Sequence, residues 1–232
     1  MFAFRDSLVA TSTSSRVEVA FTDSTLDLQG LRPGFADALA ALEDEAGVRF
    51  ARLNQVHGDA VHRVTDAPAA GPLDDVPTAD AQVSALAGVG LMVRVADCVP
   101  VVLADASHGV LGGAHAGRQG VALDVVSRTV DAMRELGAVD IHAWIGPHVC
   151  GRCYEVPSEM RDQVVARVPE TLAETSWGTP ALDLGAGVRA QLERGGVTVV
   201  QVPGCTLEES SLHSYRRDGS GAGRGAGLVW LS

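Results

Sequence analysis

Two imidazoles and a thiol stand where short apolar runs of this chain begin or end: His57, Cys98 and His115. His57 closes the polar cluster Asn54-Gln55-Val56-His57-Gly58, Cys98 precedes the run 99–104, and His115 ends the run 110–114. Two neutral imidazoles and one thiolate suit zinc, and three protein ligands leave a fourth position for water or substrate. No short-range zinc signature spaces them, so spacing alone leaves the assignment open. A buried cysteine and a capping histidine account for each residue taken singly. Cys98 and His115 would also serve as nucleophile and base of a metal-free cysteine hydrolase. Asp97, beside the thiol, is a candidate catalytic proton shuttle, or a group that fixes a ligand.

Two further constellations carry chemistry. Cys150-Gly151-Arg152-Cys153 has a spacing used for redox work or for a structural metal. A second C-x-x-C is absent, and the pair by itself reads as a tight polar turn with one cysteine in the core. Cys205, after Pro203-Gly204, reads as a small core residue. No histidine is followed two places later by glutamate, which disfavours the zinc deaminases of nucleobases. Arg216-Arg217, with Arg224 nearby, could clamp phosphate or carboxylate; solvated surface arginines are the ordinary alternative. Arg118 follows His115 at a helix start, where free N–H groups favour an anion.

These residues need elements to place them. Residues 99–104 and 110–114 are short apolar runs around a polar 105–109, which predicts strand, turn, strand. After Gly120 the period lengthens: Val121, Val125, Thr129, Met133 and Leu136 mark an amphipathic helix that Gly137 stops. Strands are predicted at 17–21, 48–53, 60–64, 81–84, 90–95, 141–145, 197–202 and 228–231. Helices are predicted at 33–46, 157–168 and 183–194, and Thr206-Leu207-Glu208-Glu209 has the spacing of a capping box. The acidic, proline- and glycine-rich stretch 66–78 reads as a long loop or flap. Irregular alternation with adjacent strand pairs predicts a mixed-sheet α/β sandwich, one domain spanning residues 1–232.

Composition bounds the rest. The 232 residues with 46% hydrophobic content suffice for a folded chain with a sizeable core. No apolar run reaches the roughly 18 residues of a membrane helix, and no signal peptide is evident, so no membrane partner and a cytoplasmic location are expected. A net charge of −11 argues against a nucleic-acid partner. It leaves room for one phosphate held by a few arginines, and every basic residue here is arginine.

Taken together, Asn54-Gln55-Val56-His57-Gly58, Ala96-Asp97-Cys98-Val99-Pro100, His115-Ala116-Gly117, Ile145-Gly146-Pro147, Cys153-Tyr154-Glu155-Val156 and Ser214-Tyr215-Arg216-Arg217-Asp218-Gly219 resemble the YfiH-like family, also called the laccase-domain or polyphenol oxidase family. The resemblance implies a single-domain α/β sandwich with His57, Cys98 and His115 as zinc ligands. It implies phosphorolysis of adenosine, inosine and methylthioadenosine, together with adenosine deamination. A metal-activated water would attack C6 in the second reaction. In the first, phosphate would attack C1′, held by arginines such as Arg118, Arg216 or Arg217. The implied partners are a small purine nucleoside and phosphate. The chain departs from the family's usual His-Ala-Gly-Trp-Arg-Gly, with Arg118-Gln119 in the Trp-Arg places. Leu212-His213 replace the usual aromatic pair. Copper, the cofactor of the older polyphenol oxidase reading, is the alternative metal; seven histidines in no visible cluster fit a multicopper centre poorly.

Overall fold

Alternation along the strands decides the architecture. The computed structural model describes residues 1–10, 16–68 and 76–232. In chain order its strands are β1 (Phe2–Val9), β2 (Arg16–Thr22), β3 (Arg49–Ala51), β4 (Val61–Arg63), β5 (Ala81–Ser84), β6 (Val89–Val95), β7 (Val99–Asp105), β8 (Val110–Ala116), β9 (His142–Ile145), β10 (Leu172–Glu174), β11 (Pro180–Leu182), β12 (Thr198–Gln201) and β13 (Gly225–Leu231). The helices are α1 (Phe35–Ala46), α2 (Arg118–Ala122), α3 (Val125–Glu135), α4 (Ser158–Val165), α5 (Leu184–Arg194) and α6 (Tyr215–Asp218). In β7, Val99, Val101 and Leu103 face one hydrophobic cluster while Val102 and Ala104 face another. In β13, Leu228 and Trp230 point one way and Val229 the other. Strands apolar on both faces must be covered on both faces.

Two mixed sheets meet that demand. One has the order β1-β2-β13-β6-β3, the other β12-β9-β7-β8-β5-β4. Their parallel pairs are β3 with β6, β12 with β9, and β4 with β5. Phe21, Leu91, Val102, Leu111, Trp144 and Val229 fill the space between the sheets. Helix α1 covers the outer face of the first sheet, setting Phe35, Leu39 and Leu42 against Phe50, Met92 and Trp230. Helices α3 and α5 cover the second, with Val130, Met133, Val188 and Leu192 against Val101 and Leu103. The result is the mixed-sheet α/β sandwich expected, in the layer order helix, sheet, sheet, helix. No helix among the described residues is long and apolar enough to cross a membrane.

Several elements differ from their sequence-based expectation. The helix expected after Gly120 starts at Arg118 and breaks after Ala122, where Asp124 takes a left-handed φ of 63° before α3 begins. The capping box at Thr206 starts no helix: its hydroxyl donates to Asp97 Oδ1 at 2.6 Å instead of capping a following turn. β1 pairs with β2 although its sequence alternates poorly. Of the expected long loop, residues 69–75 lie outside the described residues.

The β7–β8 turn shows what fixes the site-bearing hairpin. Asp105 is fully buried and accepts from the backbone N–H groups of Ser107, His108, Val139 and Asp140, and its Oδ2 meets His108 Nδ1 at 2.8 Å. Burial raises its pKa, but these hydrogen bonds outweigh burial and hold it below the ordinary 3.8. A carboxylate depressed on folding stabilises the fold fully above its unfolded value, and that stability is lost as pH falls through the lower folded value. Asp105→Asn leaves buried N–H donors facing an amide and will cost about 1–3 kcal/mol, the usual penalty for unsatisfied buried groups. Urea denaturation at neutral pH checks the loss. Repeated at successively more acid pH, it should show the wild type's advantage over the variant shrinking below about pH 3.8; an advantage that persists unchanged in acid would overturn the assignment.

Candidate metal centre and its cleft

Strand register brings the thiol and one imidazole together. Val99 pairs with Ala116 and Pro100 with His115 in the antiparallel β7–β8 ladder. Cys98 therefore sits at the start of β7 beside the end of β8. The second imidazole arrives on the loop between β3 and β4. His57 Nδ1 or Nε2, Cys98 Sγ and a His115 ring nitrogen all lie within 4.8 Å of one another. The two rings meet edge-on with centroids 4.7 Å apart. His115 is buried and His57 exposed, so the group spans from core to solvent.

One buried carboxylate holds both histidines. Asp80, fully buried at the start of β5, accepts from the backbone N–H groups of Val56 (3.2 Å), His57 (2.8 Å) and Gly58 (2.7 Å). Its Oδ1 also meets His115 Nδ1 at 2.8 Å. With Nδ1–H donating there, Nε2 of His115 is left to face Cys98 and His57, the tautomer a metal ligand needs. Burial raises the Asp80 pKa, yet the hydrogen bonds from His115 and the loop outweigh it and keep the group ionised. The loop closes on Asp80 with His57 at φ 65°, a left-handed conformation uncommon outside glycine and typical of strained functional turns.

Without a metal, the electrostatics pair a thiolate with a protonated imidazole. Burial pushes the Cys98 thiol up, but hydrogen bonds from His115 and His57 outweigh burial and bring it down to about 6. Burial likewise disfavours the His115 cation, and Asp80 and Cys98 reverse that, raising it to about 9. A thiolate between two imidazoles, one oriented by a carboxylate, is a donor set suited to zinc or copper. Gly117 leaves them room: a Cβ there would lie 2.7 Å from His57 Cδ2 and 3.2 Å from Cys98 Sγ.

The trio forms part of the wall of a cavity of about 430 Å³, within the size range of small-molecule sites. Asn54, Tyr154 and Tyr215 line it, as do Arg94, Arg216 and Arg224. Burial, with Arg52 and Arg224 as like charges nearby, lowers the Arg94 pKa to about 10, which still leaves it cationic near neutrality. Arg94 spends two guanidinium nitrogens on the carbonyls of Leu28 and Leu53, and its buried Nε has no partner among the described residues. Arg216 lies 4.9 Å from the Tyr154 ring and Arg224 5.8 Å from the Tyr215 ring. Tyr154 stays a phenol, its pKa raised by burial and by the nearby Cys98 thiolate.

The sequence-predicted residues fall into two groups. His57, Cys98, His115, Asp97 and Arg216 line the cavity. Asp97, at φ 86°, accepts from the Thr206 hydroxyl and from the Arg216 backbone N–H, both at 2.6 Å. Its carboxylate thus positions Arg216. Arg217 turns away: Nε, Nη1 and Nη2 together make five hydrogen bonds, to the carbonyls of Thr206, Glu209 and Leu212 and to the Asp218 carboxylate. No guanidinium donor is left for an anion. Arg118 is half-buried in α2 and not among the cavity-lining residues, and α2, at five residues, is a short anchor for an anion. Sequence reasoning missed Asp80 and Arg94. Their only signals were a carboxylate opening an apolar run and a cation interrupting one.

Residues 31–232 match the family described as multi-copper polyphenol oxidoreductase laccase. A Streptomyces coelicolor protein named purine nucleoside phosphorylase is 55% identical over 186 residues, 79% of this chain and 75% of that one. One of the same name from Mycobacterium tuberculosis is 45% identical over 196 residues, 83% and 76% of the two chains. Among solved structures, the hypothetical protein YfiH of Bacillus licheniformis superposes with a TM-score of 0.83 at 24% identity, covering 93% of each chain. YlmD of Geobacillus stearothermophilus gives 0.80 at 27% identity, covering 93% of this chain and 91% of that one.

Two variants test the geometry. Asp80→Asn removes the charge that orients His115 and gathers the His57 loop, and will weaken metal affinity by about ten- to a hundredfold, the usual effect of losing a ligand's orienting partner. Gly117→Ala forces His57 aside and will weaken it too, although its backbone φ of −73° suits alanine. Competition with a chromophoric chelator reads both. Wild-type affinity in both variants would mean that the metal, if bound, sits elsewhere.

Proposed function

Because the chain belongs to the YfiH-like family of multi-copper polyphenol oxidoreductase laccase type, we propose that it is a zinc enzyme that splits purine nucleosides with phosphate and deaminates adenosine. The observation that carries this reading is the convergence of His57, Cys98 and His115 with three arginines and two tyrosines in one cavity. The relatives named purine nucleoside phosphorylase support the same substrate class. His57, Cys98 and His115 would hold the metal, which when bound supplies Lewis acidity and can acidify a water toward neutrality.

The remaining roles belong to the chain's own side chains. Tyr154 and Tyr215 offer aromatic faces against which a purine stacks. Arg94, Arg216 and Arg224 offset a background of net charge −11 and concentrate a phosphate dianion. In phosphorolysis that phosphate attacks C1′, the bond from C1′ to the base nitrogen breaks, and the purine takes a proton as it leaves. The Tyr154 phenol, kept protonated, is one donor in this cavity that could supply it. In deamination a water replaces the amino group at C6 and ammonia leaves. Adenosine, inosine and methylthioadenosine share the purine and the C1′ bond that these groups address. Asp97 acts through Arg216, as a positioning residue.

The lowered Cys98 and raised His115 favour one rival, a metal-free cysteine hydrolase built on a thiolate–imidazolium pair. A copper polyphenol oxidase is less well served: among the described residues only two histidines share a potential metal group, too few for a multicopper centre.

Metal analysis separates the three readings: the purified protein should carry zinc in this trio. Cys98→Ala should remove it, together with release of hypoxanthine from inosine and phosphate. Turnover that survives in the metal-stripped protein would favour the hydrolase. The arginines give a second test. Arg216→Ala and Arg224→Ala will raise the phosphate needed for half-saturation by about ten- to a hundredfold, the scale of a lost charge-assisted contact, with adenosine deamination less affected. Arg217→Ala will instead lower the melting temperature and leave phosphate saturation unchanged. If it weakens phosphate binding while Arg216→Ala and Arg224→Ala do not, the anion lies on the other side of α6.

A further inference from the structure

The C-x-x-C turn gains partners that sequence spacing hid. Cys150 Sγ, Cys153 Sγ, Cys205 Sγ and a Glu208 carboxylate oxygen all lie within 4.8 Å of one another. We propose that Cys150, Cys153, Cys205 and Glu208 form a second metal site, a closed structural centre for zinc separate from His57, Cys98 and His115.

Two similar turns build it. In the first, the Cys150 carbonyl accepts from the N–H groups of Cys153 and Tyr154, both at 2.9 Å. In the second, the Cys205 carbonyl accepts from Glu208 at 3.1 Å and Glu209 at 2.9 Å. Each turn brings a second ligand back over the first, giving C-x-x-C facing C-x-x-E: the first pair has the spacing of structural zinc sites, and the second adds a thiolate and a carboxylate, both ligands zinc accepts. A backbone donor already faces one sulfur: Cys150 N–H points at Cys205 Sγ at 3.4 Å. Cys153 Sγ lies 3.4 Å from Glu208 Oε1. The isolated bridge between His148 and Cys205 holds the turns side by side. Zinc–sulfur bonds of about 2.3 Å place tetrahedral ligands about 3.8 Å apart, so the donors need draw in by roughly 1 Å or less. Cys153 and Cys205 are buried at 5% and 6% exposure and Glu208 is exposed, so the carboxylate closes the site on its solvent side.

Three soft sulfurs select zinc over magnesium or calcium. Four protein ligands leave no open position, which marks the site as structural. It would clamp the segment after β9 to the segment after β12. From the first, Tyr154 reaches the cavity; from the second, Thr206 holds Asp97, and through it the Arg216 backbone. All four cysteines are free thiols, and a disulfide would consume two of the three sulfurs and exclude the metal.

The test is metal stoichiometry on the full chain, purified under reducing conditions and equilibrated with zinc before excess metal is removed. Wild type should retain about two zinc ions per chain and Cys98→Ala about one, as two independent sites require. Glu208→Ala, altered at an exposed position where folding is not at stake, should lose zinc to a chelator faster than wild type from one of its two sites. Cobalt substituted into Cys98→Ala should give the strong charge-transfer absorption of several thiolates, and Cys98→Ala combined with Cys205→Ser should lose it. The proposal fails if folded Cys98→Ala retains no zinc, if Glu208→Ala releases zinc like wild type, or if the denatured wild type shows a disulfide among these cysteines. None of these outcomes depends on nucleoside turnover, so they stand apart from the proposed reaction.

Discussion

The Asp80 carboxylate is the contact on which the rest of the site depends. It is one anion, fully buried, shared between three backbone N–H groups of one loop and the imidazole of a strand in the second sheet. An unpaired charge at that depth would cost several kcal/mol; four donors remove the cost and fix the geometry. The loop cannot relax without exposing Asp80, and His115 cannot rotate without leaving it. His57 keeps its left-handed backbone because this network over-determines it. The sandwich supplies the other half of the constraint. β5 pairs with β8 so that Ala81 lies opposite Ala114, which sets Asp80 next to His115.

What the sequence made legible follows from how local each signal is. The β7–β8 hairpin, α5 and the glycine stop of α1 are written in runs of a few residues. Asp183 caps α5 by accepting from Ala186 N–H, and Gly47 ends α1 at φ 69°. His57, Cys98 and His115 were visible because polar groups at the ends of apolar runs stand out. Asp80 and Arg94 have the same form but no distinctive neighbour, and their roles exist only through contacts 22 to 66 residues away in sequence. The misread capping box at Thr206 is informative. Its hydroxyl has two possible partners, the next turn's N–H or the Asp97 carboxylate 109 positions away, and the buried charged acceptor wins. Cys205 and Glu208 were missed for a related reason: only the parallel bridge to His148 brings their turn to Cys150 and Cys153.

The distribution of charge separates scaffold from site. The chain is acidic by 11 charges, and many of its arginines lie in exposed pairs such as Arg5 with Glu45 and Arg194 with Glu170, contacts worth little in water. Arg94 and Arg224 differ: each guanidinium is held by backbone carbonyls, with no carboxylate among its hydrogen-bond acceptors. Carbonyls fix a guanidinium without neutralising it, so its field reaches into the cavity. Arg217 shows the converse, with every donor satisfied and its charge paired to Asp218. The distinction between Arg216 and its neighbour therefore lies in what each guanidinium has left to give, which adjacent identical letters cannot reveal.

The same logic explains why so much structure is devoted to holding Asp97. Its φ of 86° turns the chain sharply between β6 and Cys98, and its backbone carbonyl accepts from Val149 N–H while its side chain accepts from Thr206 and Arg216. Three segments remote in sequence thus meet at the residue next to the thiol. Gln55 does similar work on the other side, its amide pairing with both backbone groups of Arg94 like an extra strand. Cys98 follows these two anchored residues in the chain, Asp97 directly. A thiolate that must meet two imidazoles needs its backbone placed to within a fraction of an ångström, and here hydrogen bonds to Arg94 and Asp97, just before it in the chain, supply that placement.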